Sequence, residues 1–324
     1  MALDFLIIGA GPAGLACAIE ARRRGFSCAV ADKGCLTDSI HRFPADLVFF
    51  STPGLLQIGE LVFVSPSFRP TRAEVLRYYR AVADHYELAI RPYEKVTAIQ
   101  PVEGGFTVKT EQAARGARAV EAKRVIVATG YYDNPNPLLV DGEDLPKVSH
   151  YYTEGHPYRG MNVAIIGGKN SAAEAALGYW RAGARVTLIH RGDALSDSVK
   201  YWVRPDMEKR LELGQIKAMF NTVMTRITRA EVETQNLVTG ARETIANDFV
   251  FALTGYHPDP SLLIGAGAKI DPLTLEPVYD PATLETPVKG LYVAGSIIAG
   301  INNNKVFIEN SREHGKMIMN AAGR

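Results

Sequence analysis

The residues with the most recognisable chemistry are Gly9, Gly11 and Gly14, spaced as G-x-G-x-x-G near the start of the chain. The apolar run from Phe5 to Ile8 before them predicts a buried strand, and an Ala-rich helix is predicted after them. In this strand–turn–helix context, the first glycine turns the chain, the second lets a pyrophosphate approach, and the third lets helix and strand pack closely. The helix start directs N–H groups and the positive end of its dipole at phosphates. The pattern indicates a dinucleotide site.

Two further features support this site. A second apolar strand, Cys28 to Ala31, ends in Asp32, which lies eighteen residues after Gly14 and is positioned to accept hydrogen bonds from ribose hydroxyls. Two later strands end in small residues, at Ala128-Thr129-Gly130 and at Gly295. Small residues let a strand end lie against a cofactor.

The pattern recurs at residues 162–174, which again predict a strand, a glycine turn and an Ala-rich helix. The next strand ends in His190-Arg191, 24 residues after Gly167, so a basic pair follows this strand where an acid follows the first. Arginine binds phosphate in a bidentate fork, so this pair predicts recognition of the 2′-phosphate that distinguishes NADP from NAD. Lys200 is expected to add to the basic site, and Ser171 to help bind the pyrophosphate.

Composition and charge exclude several classes of protein. The 324 residues are 47% hydrophobic and 22% charged, enough for two ordinary globular domains, and the net charge of +1 favours neither nucleic acid nor membrane as a partner. Cys17, Cys28 and Cys35 form no C-x-x-C pair, and we expect a reducing, cytoplasmic compartment. The seven histidines show no metal-ligand spacing, so no metal site is predicted.

The predicted fold class is α/β, with two dinucleotide-binding (Rossmann-like) domains and the second inserted into the first. One glycine turn followed by an acid and a second followed by basic residues imply FAD and NADPH in one chain. The FAD-binding domain is then predicted at residues 1–133 and 254–324, and the NADPH-binding domain at residues 134–253. Insertion is needed because the strand that ends at Gly295 would otherwise have no partner sheet. We also predict a polar turn from Glu111 to Arg118 and one terminal helix from Lys305 to Ala321.

The chain resembles the thioredoxin-reductase-like flavoproteins and, more closely and nearly end to end, the bacillithiol disulfide reductase family. Lys169 in place of a third glycine is the most specific match. The matching segments are Gly167–Ala172, Phe49–Ser51 with Ile58–Glu60, Arg69-Pro70, Ser149–Tyr152 and Phe307–Asn310.

This resemblance implies an enzyme in which NADPH delivers a hydride to flavin N5 and the reduced flavin passes electrons to an acceptor. The implied acceptor is a small disulfide such as bacillithiol disulfide or a small redox protein, and the implied assembly is a homodimer. We expect the start of the last helix, Lys305 to Phe307, to lie near flavin N1/O2, where negative charge develops.

The full set of candidate binding residues comes from the motifs and from the resemblance together. For FAD they are Gly9, Gly11, Pro12, Ala13, Gly14, Asp32, Lys33, Ser39, Phe50, Ser51, Val96, Ala128, Thr129, Gly130, Gly295, Lys305 and Val306. For NADP they are Gly167, Gly168, Lys169, Asn170, Ser171, Ala172, Glu174, His190, Arg191 and Lys200.

The chain departs from both related groups at the redox thiol. Thioredoxin reductases carry C-x-x-C in the NADPH domain, and bacillithiol disulfide reductases carry a cysteine where this chain has Ala13. Cys17, one helical turn further on, is a weak thiol candidate and otherwise a small buried residue. No catalytic side chain is therefore assigned.

Three alternative functions stay open. An NADPH–ferredoxin or flavodoxin-type reductase needs no thiol. A flavin monooxygenase-like enzyme is indicated by His150 before the second glycine turn, although Pro146 stands where that signature has glycine. A non-catalytic redox sensor would hold FAD and NADP only as ligands.

Overall fold

The computed structural model describes residues 2–302 and 304–323. The chain divides into two compact units, the first formed by Met1–Asn134 and Tyr256–Arg324 and the second by Pro135–Gly255. These limits lie one and two residues from the domain boundaries proposed from the sequence, whose ranges include positions 1, 303 and 324, outside the described residues. Which dinucleotide each unit binds stays a prediction.

The first unit is built around a seven-stranded sheet of order β3-β2-β1-β6-β5-β4, with β15 paired to β6. Its strands are β1 (Leu3–Ile8), β2 (Cys28–Ala31), β3 (Ile90–Arg91), β4 (Lys95–Val102), β5 (Gly105–Gln112), β6 (Gly116–Val127) and β15 (Leu291–Val293). Its helices are α1 (Pro12–Arg23), α2 (Asp38–His41), α3 (Pro53–Leu56), α4 (Arg72–His85), α7 (Ser261–Gly265), α8 (Ile308–Ser311) and α9 (His314–Ala321).

The central strands of this sheet bring the predicted site residues to one edge. β1 pairs in parallel with β2 and β6, and β6 pairs in parallel with β15. The stretches of these strands that pair in parallel next to the edge, Phe5–Ile8, Ala29–Ala31, Val125–Val127 and Leu291–Val293, are apolar and buried, as expected for parallel strands covered on both faces. Because parallel strands end at the same edge, the residues that follow β1, β2, β6 and β15 converge there.

The second unit contains a five-stranded sheet of order β10-β9-β8-β14-β7 and a three-stranded sheet of order β11-β12-β13. The strands are β7 (Val148–Ser149), β8 (Asn162–Ile166), β9 (Arg185–Ile189), β10 (Lys217–Met219), β11 (Thr222–Ile227), β12 (Glu231–Asn236), β13 (Arg242–Ala246) and β14 (Phe249–Ala252). Helix α5 (Asn170–Arg181) follows the second glycine turn, and α6 (Arg204–Glu212) follows the loop after β9. The mixed α/β class predicted from the sequence is confirmed.

The prediction of one terminal helix from Lys305 to Ala321 is wrong. The helix begins only at Ile308, where Asn310 Oδ1 accepts the N–H of Phe307 at 2.8 Å, and it is interrupted after Ser311. Arg312 donates to the carbonyl oxygens of Gly54 and Gln57, at 2.7 and 3.2 Å. These tertiary contacts outweigh the local helical preference.

The predicted polar turn from Glu111 to Arg118 is also too long. β5 continues to Gln112 and β6 begins at Gly116, so the turn spans only residues 113–115. Antiparallel pairing extends both strands through polar positions, because ladder hydrogen bonds do not require an apolar side chain.

Candidate functional site

The three glycines of the first turn have different reasons to be glycine. A Cβ on Gly9, at φ +110°, would lie 2.4 Å from the carbonyl oxygen of Ala128, and a Cβ on Gly14 would lie 1.9 Å from that of Gly9. Close packing therefore excludes any side chain at these two positions. Gly11 has φ −75°, and a Cβ there would meet nothing within 4 Å. Among the described residues, no neighbour requires glycine at position 11, and the surface beside it is open.

The start of α1 presents a set of backbone hydrogen-bond donors. Pro12 is the first helical residue, and no side chain caps the helix. The N–H groups of a first helical turn have no partner inside the helix. They follow Gly11 directly in the chain and can bind a phosphate.

Asp32 is fixed beside this turn. Its Oδ2 accepts the N–H of Ala10 at 2.6 Å, and its Oδ1 accepts the N–H of Gly34 at 2.8 Å. Burial raises the pKa of Asp32, and the two backbone hydrogen bonds oppose that rise. Each carboxylate oxygen keeps a lone pair for a further donor such as a ribose hydroxyl.

The ends of β6 and β15 complete the edge. The hydroxyl oxygen of Thr129 is buried without a hydrogen-bond partner among the described residues. Gly295, at φ +74°, packs closely against the start of α1, because a Cβ there would lie 2.9 Å from Cβ of Ala13. Gly130 lies beside Ser296, whose Oγ would be 3.5 Å from a Cβ at that position. Ser296 was missed from the sequence, and its place directly after the Gly295 strand end was the available signal.

These features fit the diphosphate of FAD. A bound pyrophosphate would fill the open space beside Gly11. It would also accept hydrogen bonds from the uncapped start of α1 and from the buried Thr129 hydroxyl.

The FAD candidates Lys33, Ser39 and Val96 differ in whether their side chains are available to a ligand. The Lys33 ammonium lies 3.0 Å from Oδ2 of Asp133 in an ion pair. Ser39 is half-buried in α2. The Val96 side chain is buried in an apolar core cluster of the first unit, so only its backbone is available to a ligand.

The candidates on the other side surround α8. Ser51 Oγ is hydrogen-bonded to Glu309, and the neighbouring Phe50 is 41% exposed. Lys305 is exposed, with its ammonium 3.6 Å from Oε1 of Glu276, and Val306 packs on the apolar core. Lys305 therefore precedes the helix that it was expected to begin.

His314 supports this edge from behind and was not predicted. Its Nδ1 accepts the N–H of Gly295 at 3.1 Å, and only 8% of the residue is exposed. Burial lowers the pKa of His314 to about 4. The imidazole is therefore neutral at pH 7, with Nδ1 as an acceptor that holds the Gly295 turn. Nineteen residues separate the pair, so no local pattern indicates it.

The second glycine turn is covered by an imidazole. A Cβ on Gly168 would lie 2.3 Å from Nε2 of His190, so the ring lies directly on this glycine. Gly167 has φ +146°, and a Cβ there would lie 2.7 Å from the carbonyl oxygen of Leu253. Helix α5 has no side-chain cap, and Ser171 is exposed in its first turn.

The positive charge at this turn comes from residues other than His190. Burial and the adjacent Arg191 lower the pKa of His190, and Asp193 opposes this change, so the ring offers a hydrogen bond and no charge at pH 7. The side chains of Arg191 and Lys169 are exposed and form no ion pair or hydrogen bond with other described residues. They can bind a phosphate without breaking an existing contact.

The loop after β9 is attached to the same turn. The N–H of Ser196 donates to the carbonyl of Gly168 at 2.9 Å, and the N–H of Lys200 donates to Oδ1 of Asn170 at 3.1 Å. Ala172 is buried and Glu174 half-buried on α5. The predicted NADP residues thus lie together in the second unit.

The cysteines are unsuited to thiol chemistry. Burial raises the pKa of Cys17 to about 12, with Glu20 raising it further, and the residue is fully buried. Burial also raises the pKa of Cys28 and of Cys35. Only a thiolate attacks a disulfide, so these shifts disfavour thiol chemistry near pH 7, most of all at Cys17.

We expect Cys17→Ala to leave NADPH-dependent disulfide reduction unchanged, because the thiol is buried and protonated. Steady-state turnover of the FAD-loaded variant checks this. A loss of turnover with FAD still bound at full occupancy would show that Cys17 exchanges with the substrate.

Metal and membrane features are absent from the described residues. Within positions 2–302 and 304–323, no group of three His, Cys, Asp or Glu side chains could hold a metal ion. No helix in that part of the chain is long and apolar enough to cross a membrane. His150, the residue behind the monooxygenase alternative, lies 3.3 Å from Oε1 of Glu143.

Comparison with known proteins gives consistent relatives. The family model described as pyridine nucleotide-disulphide oxidoreductase matches residues 6–295. Bacilliredoxin reductase Bdr of Bacillus subtilis (strain 168) is 41% identical over 313 residues, which cover 96% of this chain and 94% of that protein. The structure of bacillithiol disulfide reductase Bdr from Bacillus cereus superposes with a TM-score of 0.96 at 40% identity, covering 99% of both chains. The Staphylococcus aureus structure of the same name gives 0.93 at 38% identity, covering 99% of this chain and 98% of that one.

Proposed function

The chain belongs to the pyridine nucleotide-disulphide oxidoreductase family, and we propose that it reduces bacillithiol disulfide with electrons from NADPH through bound FAD. It is an FAD-dependent oxidoreductase that uses NADPH. The net reaction converts NADPH, a proton and a disulfide into NADP⁺ and two thiols. The observation that carries the choice of substrate is the near end-to-end likeness to two bacillithiol disulfide reductase structures.

The first unit would hold FAD. The chemistry that FAD supplies when bound is acceptance of a hydride from NADPH and transfer of the electron pair to the acceptor. The open surface at Gly11 and the α1 N–H groups would bind its diphosphate, and the Thr129 hydroxyl would donate a hydrogen bond to it. Asp32 would accept from the adenosine ribose. The Gly295 turn, held by His314, would face the flavin portion.

The second unit would bind NADPH at Gly167–Ala172. Ser171 and the free N–H groups of α5 would contact the pyrophosphate, and Arg191 and Lys169 would supply charge for the 2′-phosphate. His190 would contribute a neutral hydrogen bond from its position over Gly168.

Arg191→Ala should weaken NADPH binding about 10- to 100-fold and leave NADH binding nearly unchanged, because only NADPH carries the 2′-phosphate. The range corresponds to about 1.5–3 kcal/mol for a charge-assisted hydrogen bond. Titration of the FAD-loaded protein with each nucleotide measures it.

Arg185→Ala is the matched control, since Arg185 begins the strand that Arg191 follows and bonds to Oδ1 of Asn162 at 2.8 Å. Equal losses for NADPH and NADH in Arg191→Ala would place the guanidinium away from the 2′-phosphate.

The absence of a usable thiol sets how the acceptor would react. With Ala13 at the related family's cysteine position and Cys17 buried, the disulfide would have to receive electrons at the flavin itself. The same observation is compatible with a ferredoxin or flavodoxin acceptor, which needs no protein thiol.

Parallel assays of NADPH oxidation with bacillithiol disulfide, bacilliredoxin, ferredoxin and flavodoxin test the proposal. We expect sustained, stoichiometric turnover with bacillithiol disulfide. Turnover confined to ferredoxin or flavodoxin would replace the disulfide proposal. Substrate-dependent oxygen consumption would favour the monooxygenase alternative, and no turnover with any acceptor a non-catalytic sensor.

We also propose that the enzyme is a cytoplasmic homodimer. Three unpaired cysteines support a reducing compartment, and the resemblance to thioredoxin-reductase-like flavoproteins supports the dimer. Light scattering after gel filtration measures the assembly, and a monomeric mass at micromolar concentration would contradict it.

A further inference from the structure

A buried carboxylate lies behind Asp32 and takes no part in the site described above. Glu94 is 1% exposed, although it follows a turn at the surface of the first unit. A buried carboxylate is stable only when it is paired and hydrogen-bonded. Glu94 meets this condition through two arginines that come from different strands.

The main partner of Glu94 is Arg118 on β6. Arg118 Nε donates to Oε1 of Glu94 at 3.1 Å, and its NH2 donates to Oε2, which makes a two-point contact. Arg91, at the end of β3, places NH1 3.7 Å from Oε1. This ion cluster of Arg91, Glu94 and Arg118 joins β3, at the parallel end of the sheet, to β6, where the antiparallel strands begin.

The segment 91–94, which we call the brace, is hydrogen-bonded to the segment that carries Asp32. The N–H of Asp32 donates to the carbonyl of Arg91 at 3.1 Å, and the N–H of Glu94 donates to the carbonyl of Asp32 at 2.7 Å. The N–H of Tyr93 donates to the carbonyl of Gly34 at 3.0 Å. The backbone N–H and C=O of Asp32 are therefore both hydrogen-bonded to backbone groups of the ion cluster, namely those of Arg91 and Glu94.

The brace is held in an unfavourable backbone conformation. Tyr93 has φ +55°, which is costly for a residue with a bulky side chain. Such a conformation persists only where surrounding contacts impose it. The ion pair one residue later can impose it, because the contact is bidentate and its carboxylate is buried.

We propose that Glu94 is a positioning residue for FAD: with Arg118 it holds the brace, and the brace sets the Asp32 carboxylate for the adenosine ribose. This inference rests on the proposed FAD site. Glu94 itself contacts no ligand, since its carboxylate is fully engaged by arginines behind the site.

The test measures FAD binding to the full-length apoprotein of Glu94→Gln, by quenching of flavin fluorescence. The amide keeps the volume and loses the charge. We expect FAD affinity to fall about tenfold, the lower end for loss of a charge-assisted hydrogen bond. Glu121→Gln is the matched control, because Glu121 is exposed on β6, the strand that carries Arg118, and its carboxylate bonds only to Thr107 among the described residues. It should bind FAD like the wild type.

A second ligand separates positioning from general stability. An FAD analogue whose adenosine ribose lacks both hydroxyls should bind the wild type about tenfold more weakly than FAD does. In Glu94→Gln this ratio should approach one, because the carboxylate is no longer aligned. A purely structural role would lower the urea midpoint of the apoprotein and leave the ratio unchanged, and that result would overturn the proposal.

The wild-type ratio also separates this inference from the proposed function. A wild-type ratio of one would remove the ribose role of Asp32, and the positioning role with it, while NADPH-dependent turnover with FAD would still support the reductase. If the wild-type ratio is about ten but the protein does not turn over, the reductase proposal fails and the positioning role of Glu94 remains.

Discussion

Gly11→Ala should weaken FAD binding about 100-fold while the apoprotein unfolds at nearly the same urea concentration. Apart from its chain neighbours, the new methyl group would meet no atom of the described residues within 4 Å, and the backbone has an ordinary φ of −75°, so the fold has no reason to change. The methyl would instead occupy the surface where the diphosphate must approach the α1 N–H groups. Loss of two charge-assisted hydrogen bonds of about 1.5 kcal/mol each gives this factor. Fluorescence titration of the apoprotein measures it.

Gly265→Ala is the matched control. Gly265 also has open space around a Cβ and an ordinary φ, but it ends α7, away from the glycine turn in the sequence. It should bind FAD as the wild type does. Unchanged FAD affinity in Gly11→Ala would show that the diphosphate does not approach this turn.

The free energy of unfolding should fall by about 3 kcal/mol between pH 6.5 and pH 4 because of His314 alone. Burial lowers the pKa of His314 from 6.5 to about 4, so the unfolded chain takes up a proton in this range before the folded protein does. The folded protein buries the neutral imidazole, so protonation favours the unfolded chain and stability is lost as the pH falls. Each pH unit between the two pKa values is worth about 1.4 kcal/mol. Urea unfolding of the FAD-loaded protein at pH 7, 5.5 and 4 measures the loss.

Other groups titrate in this range, so the effect is the difference between the wild type and His314→Gln. The variant should lose about 3 kcal/mol less over the same pH interval. His85→Gln, at an exposed position at the end of α4, should leave the wild-type slope intact. Identical slopes for His314→Gln and the wild type would mean that the pKa of His314 is the same in the folded protein and in the unfolded chain.

Local sequence patterns were sufficient for the parts of the fold that depend on neighbouring residues. The apolar run at Phe5–Ile8, the glycine turn and the Ala-rich helix are local features, and the structure contains them as β1 and α1. The capping box of Thr71 and Glu74, three positions apart, is another local pattern and begins α4. The confirmed α/β class follows from such alternating elements.

The features that sequence reasoning missed depend on contacts between distant residues. Gly295 and His314 are 19 positions apart, and Glu94 and Arg118 are 24 positions apart, so neither pair produces a periodic pattern. The last helix is interrupted because Arg312 is held by carbonyl groups 258 and 255 positions away. The same limit applies to Gly11, since only the structure shows that no protein atom needs the space beside it.

The most direct test of the account is a two-step mixing experiment without oxygen. The FAD-loaded protein is first reduced by one equivalent of NADPH and then mixed with bacillithiol disulfide, while the flavin absorption band is followed. We predict bleaching in the first step and full recovery in the second, with two thiols formed per NADPH, at the same rate in the wild type and in Cys17→Ala. A flavin that NADPH bleaches but the disulfide leaves reduced would contradict the account.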